Sequence, residues 1–405
     1  MNNGNFNNVN LAIANIGGRL LIQNAELKEV RTYGMAVKNT FKMKNSTCKG
    51  ILHLQRSKIG SILDLRKSTF LGGVSIAGAK IAGDVYTDKA KFQKILNMNG
   101  IDIGGKLVMK KSNFIDEVLI EGAKIAGDVD TEKSQFREIL NMKGTSIGGT
   151  LVIRKGSFKN EIKIEMAQIG SVEYMGSTIP ETMSLRGTNV EKIIVKVDDF
   201  EEFPKKMKLH GFTYNLFIGE YTGAKSTPEE IKKEKDFFEK WLDNIKGYSP
   251  QPYKQCAKAL RDAGMPDKAD AVLFAGKEIQ RRDAWDNVNY ARWIGLTILK
   301  YTIGYGIGLY TFVALIWIVI FVLLGTFVCL RPAAKNKLKK EENFTSKFHF
   351  FFYSFDMLLP LIHLRPKNEE IELPDWHRRY FYFHKLIGWL LLSFILAGLA
   401  GITQV

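Results

Sequence analysis

Five lysines stand at equal intervals along the chain: Lys67, Lys89, Lys111, Lys133 and Lys155. If that interval is one turn of the chain, their ammonium groups fall into a single row. Like charges side by side are mildly unfavourable, so the row has two competing explanations. One is a solvated face that also discourages edge-to-edge association. The other is a track for a polyanion, with positive charge as its electrostatic footprint. Arg66, Lys110 and Arg154 widen the row in alternate turns, and Lys91 adds to it. Another column of the same period, Lys94, Asp116 and Glu138, is mixed in sign. The uniform lysine column is therefore not a by-product of a basic composition.

The stretch that must position these lysines, residues 59–170, repeats throughout with the same period. Phenylalanine recurs at Phe70, Phe92, Phe114, Phe136 and Phe158, and isoleucine at Ile59, Ile81, Ile103, Ile125, Ile147 and Ile169. Two more apolar columns run through Leu54, Ile76, Met98, Ile120, Met142 and Ile164, and through Leu63, Val85, Leu107, Val129 and Leu151. A repeat of this length implies a solenoid. Each copy holds short alternating runs and glycine corners at Gly83, Gly105, Gly127 and Gly149, with no room for a helix. The expected fold is a β-solenoid (β-helix) with 22-residue coils, whose apolar columns stack inside the tube. Alternate copies are closer relatives: GAKIAGDV at 78–85 returns at 122–129, and ILNMNG at 95–100 returns as ILNMKG at 139–144.

The ends of the solenoid are expected to be atypical. Residues 1–10 are Asn-rich and read as frayed, 14–27 as a capping coil, and 184–197 as the last coil. A connector follows over 198–225. Ser226, Thr227, Pro228, Glu229 and Glu230 form a helix start, predicting a helix to about 246. Residues 253–264 and 266–285 predict a helical hairpin that connects or oligomerises.

The last hundred residues change character. From Tyr301 to Leu330 and from Leu386 to Val405 there is no charged residue, which is enough apolar length to cross a bilayer. Spans are predicted near 306–330 and 386–404, with Trp293, Tyr301 and Tyr305 near the interface. Gly304 and Gly308 are spaced for close helix contact. Between the spans, 347–364 has uncharged runs too short for a third crossing. It reads either as a re-entrant segment or as an interfacial helix. Asp356 lies within it, and an ionisable group at membrane depth is a candidate functional residue. Phe351, Phe352, Phe355 and Asp356 are the candidate pore residues. The domains expected are a β-helix at 1–197, a connector and helical linker at 198–300 and a transmembrane region at 301–405.

The net charge of +16 over 405 residues points to an anionic partner such as nucleic acid, nucleotide or lipid head groups. Three scattered cysteines, Cys48, Cys256 and Cys329, do not read as a disulfide framework. The first residues lack the basic and apolar regions of a signal peptide, so a cytoplasmic solenoid is expected. Basic residues flank span one on both sides, and charge alone does not decide its orientation. No catalytic motif is legible. The six histidines and three cysteines make no HExxH or CxxC pattern, and GxSxG and the P-loop are absent. GYGIG at 304–308 neither follows a strand nor opens a βαβ unit. The chain reads as a non-enzyme that needs no cofactor.

The segments YKQCAKALRDAGMPDKADAVLFAGKEIQRRDAW, FFYSFDMLLPL and FYFHKLIGWLLLSFILAGLAGITQ resemble bacterial membrane proteins that join a pentapeptide-like β-helix to a two-span region. The architecture is also similar to the membrane effectors of Hailong-type antiphage systems. That resemblance implies a homotetrameric ion channel in the bacterial inner membrane. It also implies a short DNA oligomer as gating ligand, made by a partner nucleotidyltransferase. It assigns no ligand residues. The alternative is a membrane-anchored β-helix scaffold without channel activity.

Overall fold

The computed structural model describes residues 3–178, 180–196, 204, 206–220, 242, 245, 248–342, 347–359 and 371–399. The chain divides into two compact units, 1–269 and 270–405.

The first unit is a parallel β-solenoid of about nine coils. Each regular coil has four two-residue strands and four corners. In one coil the strands are Leu63–Asp64, Thr69–Phe70, Val74–Ser75 and Lys80–Ile81. Every strand pairs with its equivalents one coil away, as in Leu63↔Val85↔Leu107 and Phe70↔Phe92↔Phe114. All four apolar columns point inward. The Phe rings form a stacked ladder with centroids 4.9, 5.1, 4.7 and 4.9 Å apart, and all five are buried.

Alternate coils differ at one corner, which carries Asp84, Lys106, Asp128 and Thr150 in succession. Asp84 Oδ1 accepts from the amide of Lys106 at 2.8 Å, and Asp128 Oδ1 accepts from the amide of Thr150 at 2.9 Å. A side chain at Gly105 or Gly149 would strike these carboxylates, because a Cβ there would lie 2.1 or 2.3 Å from Asp84 or Asp128 Oδ1. Each Asp-bearing corner thus needs glycine at this position in the coil after it, and all four coils carry one: Gly83, Gly105, Gly127 and Gly149. Asp128 also pairs with Lys106 Nζ at 2.8 Å. These bonds from Lys106 and Thr150 hold its carboxyl below the usual range. Asp128→Ala should cost about 1–3 kcal/mol in thermal unfolding, with Gly149 and Thr150 losing amide-exchange protection first.

Both ends of the solenoid extend beyond what the sequence predicts. Asn5–Asn10 is a strand, not a frayed end, and pairs with Glu26–Arg31 through a slightly shorter step than that of the regular coils. Side-chain amides ladder beside it, Asn24 to Asn3 at 3.1 Å and Asn45 to Asn24 at 3.3 Å. At the other end, strands Lys206–Lys208 and Thr213–Glu220 continue past the expected last coil, pairing with Thr182–Ser184 and Asn189–Lys196. The step from Asn189 to Thr213 is longer than that of the regular coils, which takes this coil out of their register.

Helix α1, Pro250–Asp262, closes this end. Its Gln251 side chain accepts from Gly211 N at 3.1 Å and donates to Phe212 O at 2.8 Å, and Gln255 donates to Tyr214 O at 2.6 Å. Tyr253, Cys256, Ala257 and Leu260 are buried. α1 therefore caps the solenoid, a role its sequence did not announce. The helix expected over 226–246 lies outside the described residues, apart from 242 and 245.

In the second unit, α2 (Pro266–Asp286, which begins at the boundary) precedes α3 (Tyr290–Ile303). Gly304, Tyr305, Gly306 and Gly308 then follow at φ 54, 59, 71 and 43°. GYGIG is thus an elbow rather than a helix contact. A Cβ on Gly304 would lie 2.3 Å from Tyr310 O. Glu278 holds the elbow, accepting from Tyr305 Oη at 2.5 Å, Lys300 Nζ at 2.8 Å and Arg281 at 2.9 Å. Burial alone would raise the Glu278 carboxyl, but these donors outweigh it and hold it at about 2. The folded value lies below the ordinary 4.5. The stabilisation is therefore complete above that pH and is lost as pH falls towards 2. The Ile307 amide donates to Gly304 O at 3.2 Å, and its protection factor against exchange should be high at neutral pH and fall across that acidic window. In Glu278→Gln it should be low at both ends.

Three helices then pack together: α4 (Val313–Cys329), α6 (Lys347–Leu358) and α7 (Asp375–Leu399), with α5 (Pro332–Glu342) after α4. Gly308–Cys329 and Asp375–Ala397 are long and apolar enough to cross a membrane. The second helix starts at Asp375, earlier than the uncharged stretch at Leu386, and carries Arg378, Arg379 and Lys385 ahead of that stretch. Ile316, Val319, Leu323 and Phe327 on α4, and Phe383, Leu386 and Leu390 on α7, are exposed. The bundle thus turns apolar side chains outward, as a lipid-facing surface does.

Candidate polyanion-binding surface

The five lysines occupy one corner of five successive coils. Each is exposed and each has a left-handed backbone: φ is 57° at Lys67, 58° at Lys89, 54° at Lys111, 57° at Lys133 and 51° at Lys155. Their amides bond to the next coil, Lys67 to Asp88 O, Lys89 to Lys110 O and Lys111 to Glu132 O, all at 2.9 Å. Beneath them, the buried hydroxyls of Ser68, Ser112 and Ser177 donate to Met43 O, Thr87 O and Ile153 O at 3.0, 2.6 and 3.2 Å. Ser134 donates likewise to Met109 O. The corner is therefore rigidly set from below. With coils about 4.8 Å apart, the row is about 19 Å long.

Left-handed backbone strains an L-residue with a Cβ. The equivalent corner in earlier coils carries Asn3, Asn24 and Asn45, which tolerate it. The corner half a coil away carries Ile13, Gly34, Arg56, Gly78, Gly100, Gly122, Gly144 and Met166, all left-handed. That corner thus mixes glycine with Ile13, Arg56 and Met166, whereas this one carries lysine in five consecutive coils. The signal was in the sequence: Asn24 and Asn45 precede Lys67 at nearly coil spacing, and both types mark such turns.

Arg66, Lys110 and Arg154, expected to widen the row, are held by acids. Arg66 binds Asp64 through Nε at 2.8 Å and its terminal nitrogen at 2.7 Å. Lys110 Nζ lies 2.9 Å from Asp130 and 3.2 Å from Glu132. Arg154 Nε donates to Glu173 at 2.7 Å. Asp88 and Glu132 fill the same column in the intervening coils, so this flank alternates in sign. Burial alone would raise the Asp64 carboxyl, but its bonds from Arg66 outweigh that and lower it. Burial raises Asp88, which has no such bond. Among the lysines of the row, Lys133 has an acid nearby, Glu132 at 3.9 Å. Lys91, Asn113, Gln135 and Ser157 run along the other side. The available positive charge is therefore a narrow lane.

The four candidate pore residues lie on α6. Phe351 and Phe355 pack against the apolar cluster shared by α4 and α7, Phe352 is exposed, and Asp356 is buried within the chain. Residues 360–364 of the predicted re-entrant segment lie outside the described residues. What the sequence did not reveal is why α6 fits so closely. Gly388 leaves room for Leu358 O, only 1.6 Å from where a Cβ would stand, and Gly325 leaves room for Ser354 Oγ. Among the described residues, no group of three or more His, Cys, Asp or Glu side chains could hold a metal ion. Cys48 and Cys256 are buried, which pushes their thiols up to about 11 and about 12. No family model, curated protein or solved structure matches the chain.

Proposed function

We propose that the chain is a membrane effector whose β-solenoid binds a polyanion, a short DNA strand or oligonucleotide, and whose helices form an ion-conducting pore under its control. Its architecture fits a membrane-anchored β-helix protein: a β-solenoid followed by two helices long and apolar enough to span a bilayer. The observation that carries the ligand is the lysine row at left-handed corners. Regularly spaced ammonium groups contact phosphates and confer affinity without reading sequence. A row of about 19 Å matches a ligand of a few phosphates, given roughly 4.8 Å between cations. The buried Phe ladder offers no stacking platform, so affinity rests on charge and should fall steeply with salt. A homotetramer in the bacterial inner membrane, a cytoplasmic solenoid, a partner nucleotidyltransferase and an antiphage role complete the proposal. They follow the resemblance to Hailong-type effectors.

For the ligand to control the pore it must favour one state over the other. The test is single-channel recording of the full chain in a planar bilayer with and without short DNA. Discrete currents that change with the oligomer support the reading. Silence in both conditions, with insertion demonstrated, sinks it. The burial of Asp356 within one chain favours a second reading, an anchored scaffold whose solenoid binds without gating. In that case Asp356→Asn changes nothing and no current is seen.

A further inference from the structure

The helical bundle holds buried polar atoms that have no hydrogen-bond partner among the described residues. His377, Tyr380 and His384 follow one another at three- and four-residue steps along α7 and so share a face. His377 is 7% exposed and His384 0%. Both ring nitrogens of His377, the Tyr380 hydroxyl and His384 Nδ1 are buried without a hydrogen-bond partner among the described residues. Buried polar atoms without partners call for water, and ionisable side chains facing a bundle interior mark paths for ions or protons.

The neighbours of His384 fix its tautomer. Nε2 lies 3.2 Å from Ser354 O and 3.4 Å from Ser354 Oγ. The Ser354 hydroxyl already donates to Val322 O at 2.8 Å. Both groups facing Nε2 therefore accept, and Nε2 carries the hydrogen. Nδ1 is left with a lone pair directed into the interior. One end of this line of atoms lies beside Arg331, whose guanidinium sits 5.6 Å over the Trp376 ring, a pairing suited to a membrane interface. The path from His377 to His384 covers about 10 Å along the helix. Beyond His384 the interior is closed by Ile318, Val322, Leu391 and Ile395.

We infer that the bundle encloses a hydrated half-channel, opening beside Arg331 and Trp376 and ending at His384, whose ligands are water and a proton. The proton leaves a hydronium ion in the seam and bonds to the lone pair of His384 Nδ1. A neutral water remains, and the imidazolium keeps its Nε2–H bond to Ser354 O. The ionisable groups near the seam from neighbouring elements are Cys329, Arg331, Tyr353 and Asp356. The inference rests on the membrane-spanning part of the proposed function and is independent of the polyanion.

The test is solid-state nuclear magnetic resonance of the full chain, labelled with ¹⁵N-histidine, in lipid bilayers. At neutral pH, His384 Nδ1 should be unprotonated and show magnetisation transfer from water, and acidification should protonate it. Tyr380→Phe or His377→Leu should lose the water contact at His384 while Ile316 and Phe327 keep their lipid contacts. A dry His384 in the unsubstituted chain, or a proton on Nδ1 at neutral pH, overturns the half-channel. Absence of lipid contacts at Ile316 and Phe327 overturns the membrane-spanning reading, and the half-channel with it.

Discussion

Replacing Lys89, Lys111 and Lys133 together with glycine is expected to stabilise the solenoid and, at the same time, to remove most of the proposed affinity for short DNA. The two effects have separate origins. A residue with a Cβ loses roughly 1–2 kcal/mol in the left-handed region, and glycine avoids that strain at an entropic cost of about 0.5–1 kcal/mol. Each substitution also removes an ammonium group from a row of like charges. A net gain of a few tenths to about 1 kcal/mol per site follows, read as a higher midpoint of thermal unfolding. Losing three phosphate contacts should flatten the dependence of log K on log salt by about 2 for a single strand and weaken binding by orders of magnitude at low salt. A merely structural role for the lysines predicts the reverse pattern, with lower stability or unchanged affinity. Lys111→Asn is the matched control, since asparagine occupies this corner at Asn24 and Asn45.

Truncating the middle of the aromatic ladder is the second large effect. Phe114 stacks on Phe92 at 5.1 Å and on Phe136 at 4.7 Å, and it is 1% exposed. Phe114→Ala removes both stacks and leaves a cavity, at a cost of about 3–5 kcal/mol. Solenoid coils contact only their neighbours, so the damage should open locally. Amide exchange should rise first around Phe92, Phe114 and Phe136, while strands near Asn15 and Thr213 keep their protection. Phe70→Ala breaks a single stack within the ladder and should cost less. Equal losses at the two positions would contradict the ladder as a cooperative element.

The solenoid was legible because its register repeats. Four apolar columns and the Gly corners fixed the coil length, the inward faces and the outward lysines. The ends were harder to read because coil length changes there. The step shortens between Asn5 and Glu26 and lengthens between Asn189 and Thr213, which takes these residues out of the columns. The left-handed corners were visible only in the succession from Asn45 to Lys67. The ion pairs that hold Arg66, Lys110 and Arg154 depend on acids in the same or adjacent coils, so reading the basic residues alone overstated the width of the row. In the membrane region, length and apolarity located the spans. The seating of α6 depends on Gly325 and Gly388, and a glycine's neighbours across a bundle leave no local pattern.

The corner at which Asp84 and Asp128 meet Gly105 and Gly149 limits how such a protein can change in length. Removing the single coil that carries Lys106 would set the Asp84 corner directly beside the Asp128 corner. Two carboxylates would then occupy adjacent layers, without the Lys106 ammonium that now pairs with Asp128. Removing or adding a pair of coils restores the alternation. Viable insertions and deletions in this stretch should therefore come in whole pairs of coils, each pair changing the row by two lysines and about 10 Å. Duplication can in this way lengthen or shorten the lysine row, but only in whole steps.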